Sequence, residues 1–473
     1  ANLDFAKHYA GLFRAAGDQA TAAVLEKIYK DEIGHVGHGV EWFRRWKNDG
    51  QSDWEAFGKA LHFPLSPAKA KGIAPFNAEG RRLAGLDEDF IRRLEVCEQS
   101  RGRTPVLHWF NPNAEAWANG TPHSLNKFER AMEVDLELVM LAACRRDDIL
   151  LVRNPPSRDH LAALKSAGVT LPEIIEARPG LTSLSGRKLG GLRPWAWSPD
   201  ASETLAPLRD RVSKNVPWQW RDAMPASHLS KELGVRLERR LGVDSAARVH
   251  RTTASALATA AAQDRTLFKA AHACAGRGHL YVSEPDPEAE TWLDTTIGHH
   301  GCVVSEPWLD RVADFSALYE LGPGGVELIG MSVIDNDKDG RFRGIRVAPT
   351  WSRLLHAEIA EFLFRDADVM HWYRDMIPAQ LGALLPDVAG PVGVDAMVYR
   401  DPSGGLALRH VVEVNTRFTM GRIALELQRR SCPGGRGNFR VVRKGRWDRK
   451  GIALNDPARA GAFIAVWQAN EGS

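Results

Sequence analysis

The sequence predicts an α/β fold that follows an all-α segment at the start of the chain. Apolar residues recur at helical spacing over residues 21–46, which predicts a long amphipathic helix. Strands and helices alternate over residues 104–225, a pattern typical of a parallel sheet. Farther along the chain, apolar strands are joined by turns that contain Gly and Pro, which predicts hairpins. We therefore expect three domains, at residues 1–95, 96–225 and 226–473.

The composition gives no electrostatic reason to expect nucleic acid or a membrane as a partner. The 473 residues include 62 Lys and Arg and 59 Asp and Glu, a formal net charge of +3. No apolar run is long enough to span a bilayer, and no basic start precedes an apolar core. Five scattered cysteines show no paired spacing, which predicts free thiols. We expect a soluble cytoplasmic protein.

The first long helix carries a pair of possible metal ligands. Asp18 is placed to cap it, and Glu32 and His35, three residues apart, share one helical face. Ferritin-like bundles present iron or manganese ligands in this way, but they need matching carboxylates from other helices. An ordinary surface pair explains so short a motif equally well, so both interpretations stay open.

The N-terminal segment as a whole resembles the C-terminal part of a ferritin-like family, domain of unknown function 455 (DUF455). The resemblance covers about residues 1–95. It rests on segments that occur in the family's order: the start at Asn2, DEIGHV at residues 31–36, WF at 42–43, PFN at 75–77 and RLAGL at 82–86.

The DUF455 resemblance implies that Glu32 and His35 form half of an iron or manganese site. Family members carry the remaining ligands on earlier helices, and this chain begins too late to contain them. We therefore expect a missing N-terminal segment or a second chain to complete the bundle.

The middle of the chain is expected to begin with a linker-like passage at residues 50–103, which ends in a helix at 87–98. The elements predicted after it are a strand at 107–110, a helix at 126–145, a strand at 148–152, a helix at 158–167 and a strand at 173–176. No glycine fingerprint for dinucleotides is present, so NAD is not expected here. The aromatic loop at residues 192–197 is interpreted either as a packed loop or as part of a substrate cleft.

A glycine-containing loop at residues 266–282 suits phosphate. A strand that carries Lys269 leads into Gly276-Arg277-Gly278 and then into a second strand. Glycines let backbone N–H groups approach phosphate closely, and Lys269 and Arg277 supply positive charge. Upstream, Lys231 on the helix predicted at residues 230–241 is interpreted either as a further nucleotide ligand or as a solvated lysine.

Two acidic residues mark the next strand and the one after it. The apolar strand at residues 302–304 leads into Glu306-Pro307-Trp308-Leu309, and Asp314 opens the following apolar segment. Taken alone, Trp308 could be a core aromatic and Glu306 a strand end.

A hairpin at residues 392–414 gathers oxygen ligands. Asp395 lies 18 residues before Glu413, and a chain that folds back near Gly404 brings the two together. Asn415 lies two residues after Glu413, so strand alternation places both side chains on one face. Carboxylate and amide oxygens suit Mg²⁺. Arg417 adds a planar cation for an anionic oxygen.

These three motifs, in this order, resemble the ATP-grasp superfamily. The resemblance implies a Rossmann-like pre-ATP-grasp domain at residues 96–225, a small nucleotide-covering subdomain at 245–321 and a larger metal-binding subdomain at 325–430. Phosphate would be contacted by Lys269 and Gly276, Arg277 and Gly278. The adenine and ribose would be held by Glu306, Trp308, Leu309 and Asp314. The implied magnesium ligands are Asp395, Glu413 and Asn415, with Arg417 and Lys269 as the catalytic cations.

The activity implied by the ATP-grasp resemblance is ATP-dependent ligation of a carboxylate to an amine through an acyl phosphate. The substrates would be small molecules, such as amino acids or peptides. The alternative is a ferritin-like di-metal oxidoreductase or hydroxylase, in which the ATP-grasp part binds nucleotide. The basic stretch at residues 433–450 is expected to be a solvated edge, since the overall charge does not indicate nucleic-acid binding.

Overall fold

The computed structural model describes residues 2–61, 67–71, 75–96, 104–177, 181, 184, 186–213, 219–243, 245–273, 278–337, 340 and 342–470. It separates into two compact units. The first unit contains residues 1–108, 144–190 and 210–213, and the second contains residues 109–143, 191–209 and 214–473. The predicted α/β class with an N-terminal helical segment is confirmed. The division into three domains stays a prediction.

The α-helices of the described residues are numbered in chain order. They are α1 Asn2–Ala15, α2 Gln19–Trp46, α3 Asp53–Ala60, α4 Pro67–Lys71, α5 Ala78–Leu83, α6 Glu88–Val96, α7 Ala114–Ala118, α8 Lys127–Asp135, α9 Arg158–Ser166, α10 Pro199–Leu205, α11 Glu232–Leu241, α12 Thr253–Ala261, α13 Pro287–His300, α14 Ala357–Glu361, α15 Ile377–Leu384 and α16 Met420–Ser431.

The strands are numbered in the same way. They are β1 Val106–Trp109, β2 Ile149–Val152, β3 Glu173–Glu176, β4 Gly191–Pro194, β5 Arg248–His250, β6 Thr266–Ala270, β7 His279–Val282, β8 Val303–Pro307, β9 Asp310–Gly322, β10 Gly325–Asn336, β11 Phe342–Val347, β12 Gly390–Arg400, β13 Leu406–Asn415, β14 Arg436–Arg443, β15 Ile452–Ala453 and β16 Phe463–Asn470.

The first unit combines the predicted helical segment with a parallel strand pair. Helix α2 begins where Asp18 caps it, because the Asp18 side chain accepts a hydrogen bond from the Thr21 amide at 3.0 Å. A buried ion pair between Asp4 and Arg81, with Oδ1 and Nη1 2.6 Å apart, joins α1 to α5. Strands β2 and β3 pair in parallel, as the alternating pattern predicted.

Two predictions for the middle of the chain are wrong in detail. The passage at residues 50–103 was expected to be linker-like, but its described part contains α3, α4 and α5, and Ser52 and Glu55 form a capping box for α3. The helix predicted at residues 126–145 ends at Asp135. There the Asp135 carboxylate accepts hydrogen bonds from three backbone amides at residues 461–463, so a tertiary contact replaces the helical continuation.

The second unit is built on an eight-stranded antiparallel sheet. The strand order is β13-β12-β9-β10-β11-β14-β16-β15. Strands β12 and β13 are the predicted hairpin, and Gly404 in its turn has a φ of 87°, which favours glycine. Apolar side chains from β9, β12, α11 and α15 form the core on one face of this part of the sheet. Strands β12 and β13, which carry the candidate site, therefore pack against this core.

A smaller antiparallel sheet, in the order β5-β8-β6-β7, lies in the same unit. Helices α12 and α13 cover one face of it, where Phe268, Leu293 and Val303 are fully buried. Because side chains alternate along a strand, Lys269, next to Phe268, points to the opposite face. The smaller sheet thus has an apolar face toward its helices and a polar face that carries site residues.

The basic stretch at residues 433–450 does not form a solvated edge throughout. Strand β14 lies between β11 and β16 inside the large sheet, and Phe439 on it is fully buried. The charged residues from Arg443 onward are mostly exposed, as expected. The sheet therefore continues beyond α16.

None of the helices in the described part of the chain is both long and apolar enough to cross a membrane. Cys302 and Cys432 are buried free thiols, in agreement with the prediction. Cys144 is also buried, and Cys97 and Cys274 lie outside the described residues.

We predict that Gly437→Ala destabilises the second unit. A Cβ atom at Gly437 would overlap the ring of Trp467, which is fully buried on the neighbouring strand β16. Overpacking of this kind costs about 1–3 kcal/mol, which should lower the midpoint of thermal unfolding. Gly434→Ala is the matched control, because a Cβ atom there meets no atom within 4 Å. Equal midpoints for the two variants would contradict the described packing.

Candidate nucleotide and metal site

The three predicted oxygen ligands lie together on the β12–β13 hairpin. Asp395 on β12 is directly opposite Glu413 on β13. The Asn415 Nδ2 atom donates a hydrogen bond to Asp395 Oδ2 at 3.1 Å. Strand pairing and alternation therefore bring Asp395, Glu413 and Asn415 to one patch, as the sequence predicted.

The two carboxyl groups of this patch differ electrostatically. Burial, together with the charge of Glu413, raises the pKa of Asp395 to about 7. Burial also disfavours the charged form of Glu413, but the adjacent Lys231 outweighs it and holds the pKa of Glu413 below its usual value. The patch therefore contains one firmly ionised carboxylate and one that takes up a proton readily near neutral pH.

Lys231 belongs to this patch and is not a solvated helix lysine. It lies just before α11, is only 7% exposed, and its Nζ donates to Glu413 Oε1 at 2.6 Å. Helix α11 packs closely on β13. A Cβ atom at Gly234 would lie only 3.5 Å from the Val411 side chain. Of the two interpretations left open by the sequence, burial beside a carboxylate favours a role in the site.

A second group of buried charges centres on Glu306. Its carboxylate forms ion pairs with Lys269 and with Arg409, whose Nη1 atom lies 2.8 Å from Glu306 Oε2. Arg409 is 9% exposed, and its Nε also lies 3.6 Å from Glu238 Oε1. Burial disfavours the charge on Glu306, but Arg409 and Lys269 hold its pKa below the usual value. Burial also lowers the pKa of Lys269.

A cavity of about 680 Å³ opens beside Glu306. The predicted adenine and ribose residues all line it: Glu306, Trp308, Leu309 and Asp314. Trp308 is half-buried here, edge to face with Tyr281 at 4.9 Å between ring centres. Asp314 Oδ2 accepts from Asn336 Nδ2 at 2.9 Å, and burial raises its pKa. The chain that links the two sheets thus forms one wall of the cavity.

The remaining predicted nucleotide residues are only partly described. Gly278 has a φ of 61°, and a Cβ atom there would lie within 3 Å of the Ala270 and Ala273 side chains, so glycine is required. Gly276 and Arg277 lie outside the described residues.

Arg417 lies just beyond the oxygen patch. Its Nε atom donates to Glu115 Oε1 on α7 at 2.5 Å, and its Nη1 donates to the carbonyl of Phe418. The guanidinium of Arg417 is therefore held in place by the carboxylate of Glu115, which lies 302 residues away in sequence.

Glu32 and His35 form a surface pair in the first unit. The His35 Nδ1 and Glu32 Oε1 atoms are 3.5 Å apart, and the His35 side chain is 74% exposed. Among the residues that the structure describes, no group of three or more His, Cys, Asp or Glu side chains is arranged to hold a metal ion. A half-site for iron or manganese stays a prediction.

Sequence reasoning missed Arg409, Glu238 and Glu115. Arg409 had a usable signal, since it lies four residues before Glu413 on β13, at the spacing that shares a face. Glu238 and Glu115 had none, because their partners are far away in sequence.

We predict that Asp395→Asn stabilises the metal-free protein in a pH-dependent way. The folded pKa of Asp395, about 7, lies above the usual 3.8, so the stability linked to its proton is complete at acid pH and is lost as the pH rises to about 7. The variant should therefore unfold at a higher temperature than wild type at about pH 8 and at nearly the same temperature at about pH 4. Thermal unfolding with a chelator present measures this.

The control for that experiment is Asp375→Asn, at an exposed carboxyl group. The unfolding temperature of this variant should differ little from that of the wild type at either pH. An Asp395→Asn difference that does not grow with pH would contradict the burial of this carboxyl.

We also predict that Arg409→Met is strongly destabilising. Removing the guanidinium leaves Glu306 and Glu238 buried with one fewer cation, and breaking a buried ion pair from one side costs about 3–5 kcal/mol. Arg400→Met, on the exposed end of β12, removes a surface ion pair with Glu358 and an exposed hydrogen bond to the Gly404 carbonyl, and it should cost about 1 kcal/mol or less. Thermal unfolding measures both losses of stability. Equal losses in the two variants would contradict the buried network.

Comparison with protein families gives one match. Residues 1–92 match the family described as "Protein of unknown function (DUF455)". The resemblance predicted from the DEIGHV and PFN segments is confirmed for this part of the chain. No curated protein matches the sequence.

Comparison with solved structures returns ATP-grasp ligases. N5-carboxyaminoimidazole synthetase from Staphylococcus aureus, complexed with ADP, is 10% identical, with 77% of this chain and 93% of that chain covered and a TM-score of 0.40. Biotin carboxylase from Campylobacter jejuni is 12% identical, with 77% and 88% covered and a TM-score of 0.44. L-amino acid ligase from Bacillus licheniformis is 12% identical, with 79% and 95% covered and a TM-score of 0.38. The family match therefore covers residues 1–92 of this chain.

Proposed function

We propose that the second unit binds Mg-ATP and uses it to join a carboxylate to an amine. The observation that carries this proposal is the set of buried charged side chains that lie between the cavity and the hairpin. Glu306 lines the cavity and is paired with Lys269, while Lys231 is paired with Glu413 in the oxygen patch. A pocket for a base, two buried ammonium groups and a set of oxygen ligands are the parts that a nucleoside triphosphate requires.

The oxygen patch fits a divalent cation. Asp395, Glu413 and Asn415 supply carboxylate and amide oxygens side by side, which is the donor chemistry of Mg²⁺. Burial and the charge of Glu413 raise the pKa of Asp395 to about 7, and a cation bound beside it would favour the ionised form. Magnesium held by these three residues would neutralise phosphate charge and align the phosphates for transfer.

Lys231 and Lys269 are the groups proposed to bind the phosphates. Each ammonium is buried and now neutralised by one carboxylate, Glu413 for Lys231 and Glu306 for Lys269. Phosphate oxygens could take the place of either carboxylate. Glu306 would remain paired through Arg409, so the exchange would leave no carboxylate uncompensated.

The cavity beside Glu306 suits the nucleoside. Its volume of about 680 Å³ falls within the range of roughly 300–1,000 Å³ typical of small-molecule pockets. Leu267, Met397 and Trp308 supply apolar surface for a base, and Asp314 and Glu306 supply acceptors for ribose hydroxyl groups.

The proposed reaction has two steps. An oxygen of the substrate carboxylate attacks the γ-phosphorus, the bond to the β-phosphate oxygen breaks, and ADP leaves behind an acyl phosphate. The amine nitrogen then attacks the acyl carbon, the carbon–oxygen bond to phosphate breaks, and an amide and inorganic phosphate result. Lys269, Lys231 and Arg417 would stabilise the negative charge that develops on the transferred group. An amino acid or peptide is the substrate class that we propose.

The alternative function, a ferritin-like oxidoreductase, gains no support from the described residues. Glu32 is half-buried and His35 is exposed on α2, and no third ligand lies with them in the part of the chain that the structure describes.

We predict that the wild type forms hydroxamates when it is supplied with Mg-ATP, hydroxylamine and a suitable acid from a panel of the twenty L-amino acids. Hydroxylamine intercepts an acyl phosphate, so the coloured iron complex of the product reports the first step. Glu413→Gln and Lys269→Ala should reduce the rate on the order of 100-fold or more, because each removes a charge that stabilises the transferred phosphoryl group.

Glu361→Gln and Lys127→Ala change exposed residues of the same unit and should keep wild-type rates. Full activity in both Glu413→Gln and Lys269→Ala would refute the assignment of the site.

A further inference from the structure

Glu115 on α7 is a buried carboxylate with one oxygen in use. It is 6% exposed, and its Oε1 atom accepts the hydrogen bond from Arg417 Nε. Its Oε2 atom is buried and has no hydrogen-bond partner among the residues that the structure describes. Buried carboxylate oxygens nearly always have a donor, so this atom indicates a missing partner.

His272 presents a second buried acceptor without a partner. Its Nε2 atom lies 3.1 Å from the carbonyl oxygen of Ala226. Because a carbonyl can only accept, Nε2 must carry the proton, and Nδ1 is left with a free lone pair. The Nδ1 atom is buried and unpartnered within the described part of the chain. Burial lowers the pKa of His272, which keeps the imidazole neutral near neutral pH.

Three observations place these acceptors together, at the phosphate end of the candidate site. Asn119, at the C-terminal end of α7, donates from Nδ2 to the His299 carbonyl at 3.0 Å, and the neighbouring His300 ring stacks on the His272 ring with 5.9 Å between ring centres. The Lys231 amide donates to the carbonyl of Ala271, the residue before His272, at 2.9 Å. Arg417, the partner of Glu115, follows Asn415 by two residues. The two acceptors therefore lie beside the elements that carry the proposed phosphate and metal ligands.

We propose that Glu115 Oε2 and His272 Nδ1 bind the ammonium group of the amine substrate. A primary ammonium carries three N–H donors and one positive charge, which matches one carboxylate oxygen and one imidazole lone pair. A second carboxylate substrate is disfavoured, because both free atoms are acceptors. This assignment rests on the proposed ligase reaction and identifies the groups that select its nucleophile.

His272 would also receive the proton that the amine must lose. The ammonium N–H bond breaks and its proton passes to His272 Nδ1, which frees the nitrogen lone pair. That lone pair attacks the acyl carbon of the acyl phosphate as the carbon–oxygen bond to phosphate breaks. The nitrogen loses its second proton to the departing phosphate, which leaves as hydrogen phosphate. His272 then returns its proton to solvent, so atoms and charges balance.

Calorimetric titration with glycinamide, a small cationic amine, tests the proposal. Saturable binding to wild type, in the presence of magnesium and a non-hydrolysable ATP analogue, is expected. Glu115→Gln keeps the acceptor for Arg417 but removes the charge, and it should weaken glycinamide binding by roughly tenfold or more. His272→Leu should weaken it to a similar degree, whereas His272→Asn retains an acceptor near the position of Nδ1 and should restore much of the binding.

Glu290→Gln and His299→Gln are the matched controls, because both residues are exposed on α13, and they should bind glycinamide as wild type does. Absence of glycinamide binding to wild type would overturn the proposal. So would wild-type affinity in a Glu115→Gln variant whose unfolding midpoint is unchanged. Binding of the ATP analogue alone, measured first, shows separately whether the proposed nucleotide site has failed.

Discussion

The sharing of Glu306 between two buried cations is the interaction on which the second unit depends. Glu306 on β8 meets Lys269 on the neighbouring strand β6 and Arg409 on β13 of the large sheet. Charges taken out of water are tolerated only when they are paired, so the small and large sheets must stay in the arrangement that keeps Glu306 between its partners. The cavity lies beside this contact, and its shape is therefore set by an electrostatic requirement as much as by packing.

The requirement that buried charges be paired also links the structure to the proposed chemistry. Lys269 is paired with the carboxylate of Glu306, and Lys231 is paired with that of Glu413. A polyphosphate could replace those carboxylates at little cost, because its oxygens would pair with ammonium groups that are already desolvated. The carboxylates would not be left alone, since Arg409 holds Glu306 and a divalent cation would bind Glu413 and Asp395. The site is thus arranged so that phosphate oxygens of a ligand could replace Glu306 and Glu413 as the partners of the two lysines.

Local signals in the sequence predicted the hairpin and its ligands. The turn after β12 and the alternation along β13 were sufficient to place Asp395 opposite Glu413, because both depend on neighbours in the chain. The partners that neutralise these groups were not predictable in the same way, since Lys231 lies 182 residues before Glu413. Helix α8 ends early for a related reason, because Asp135 binds backbone amides more than 300 residues away. Strand β14 did carry a period of two, but its many arginines suggested a solvated edge.

The measurement that tests the central claim most directly is calorimetric titration of ATP into the wild-type protein, with Mg²⁺ and again with a chelator. The account predicts saturable binding that requires the metal, because the triphosphate must displace two internal carboxylates and Asp395 must ionise. Glu413→Ala should abolish this Mg²⁺-dependent binding. Absence of ATP binding to the wild type, or binding that is the same with and without Mg²⁺, would contradict the account.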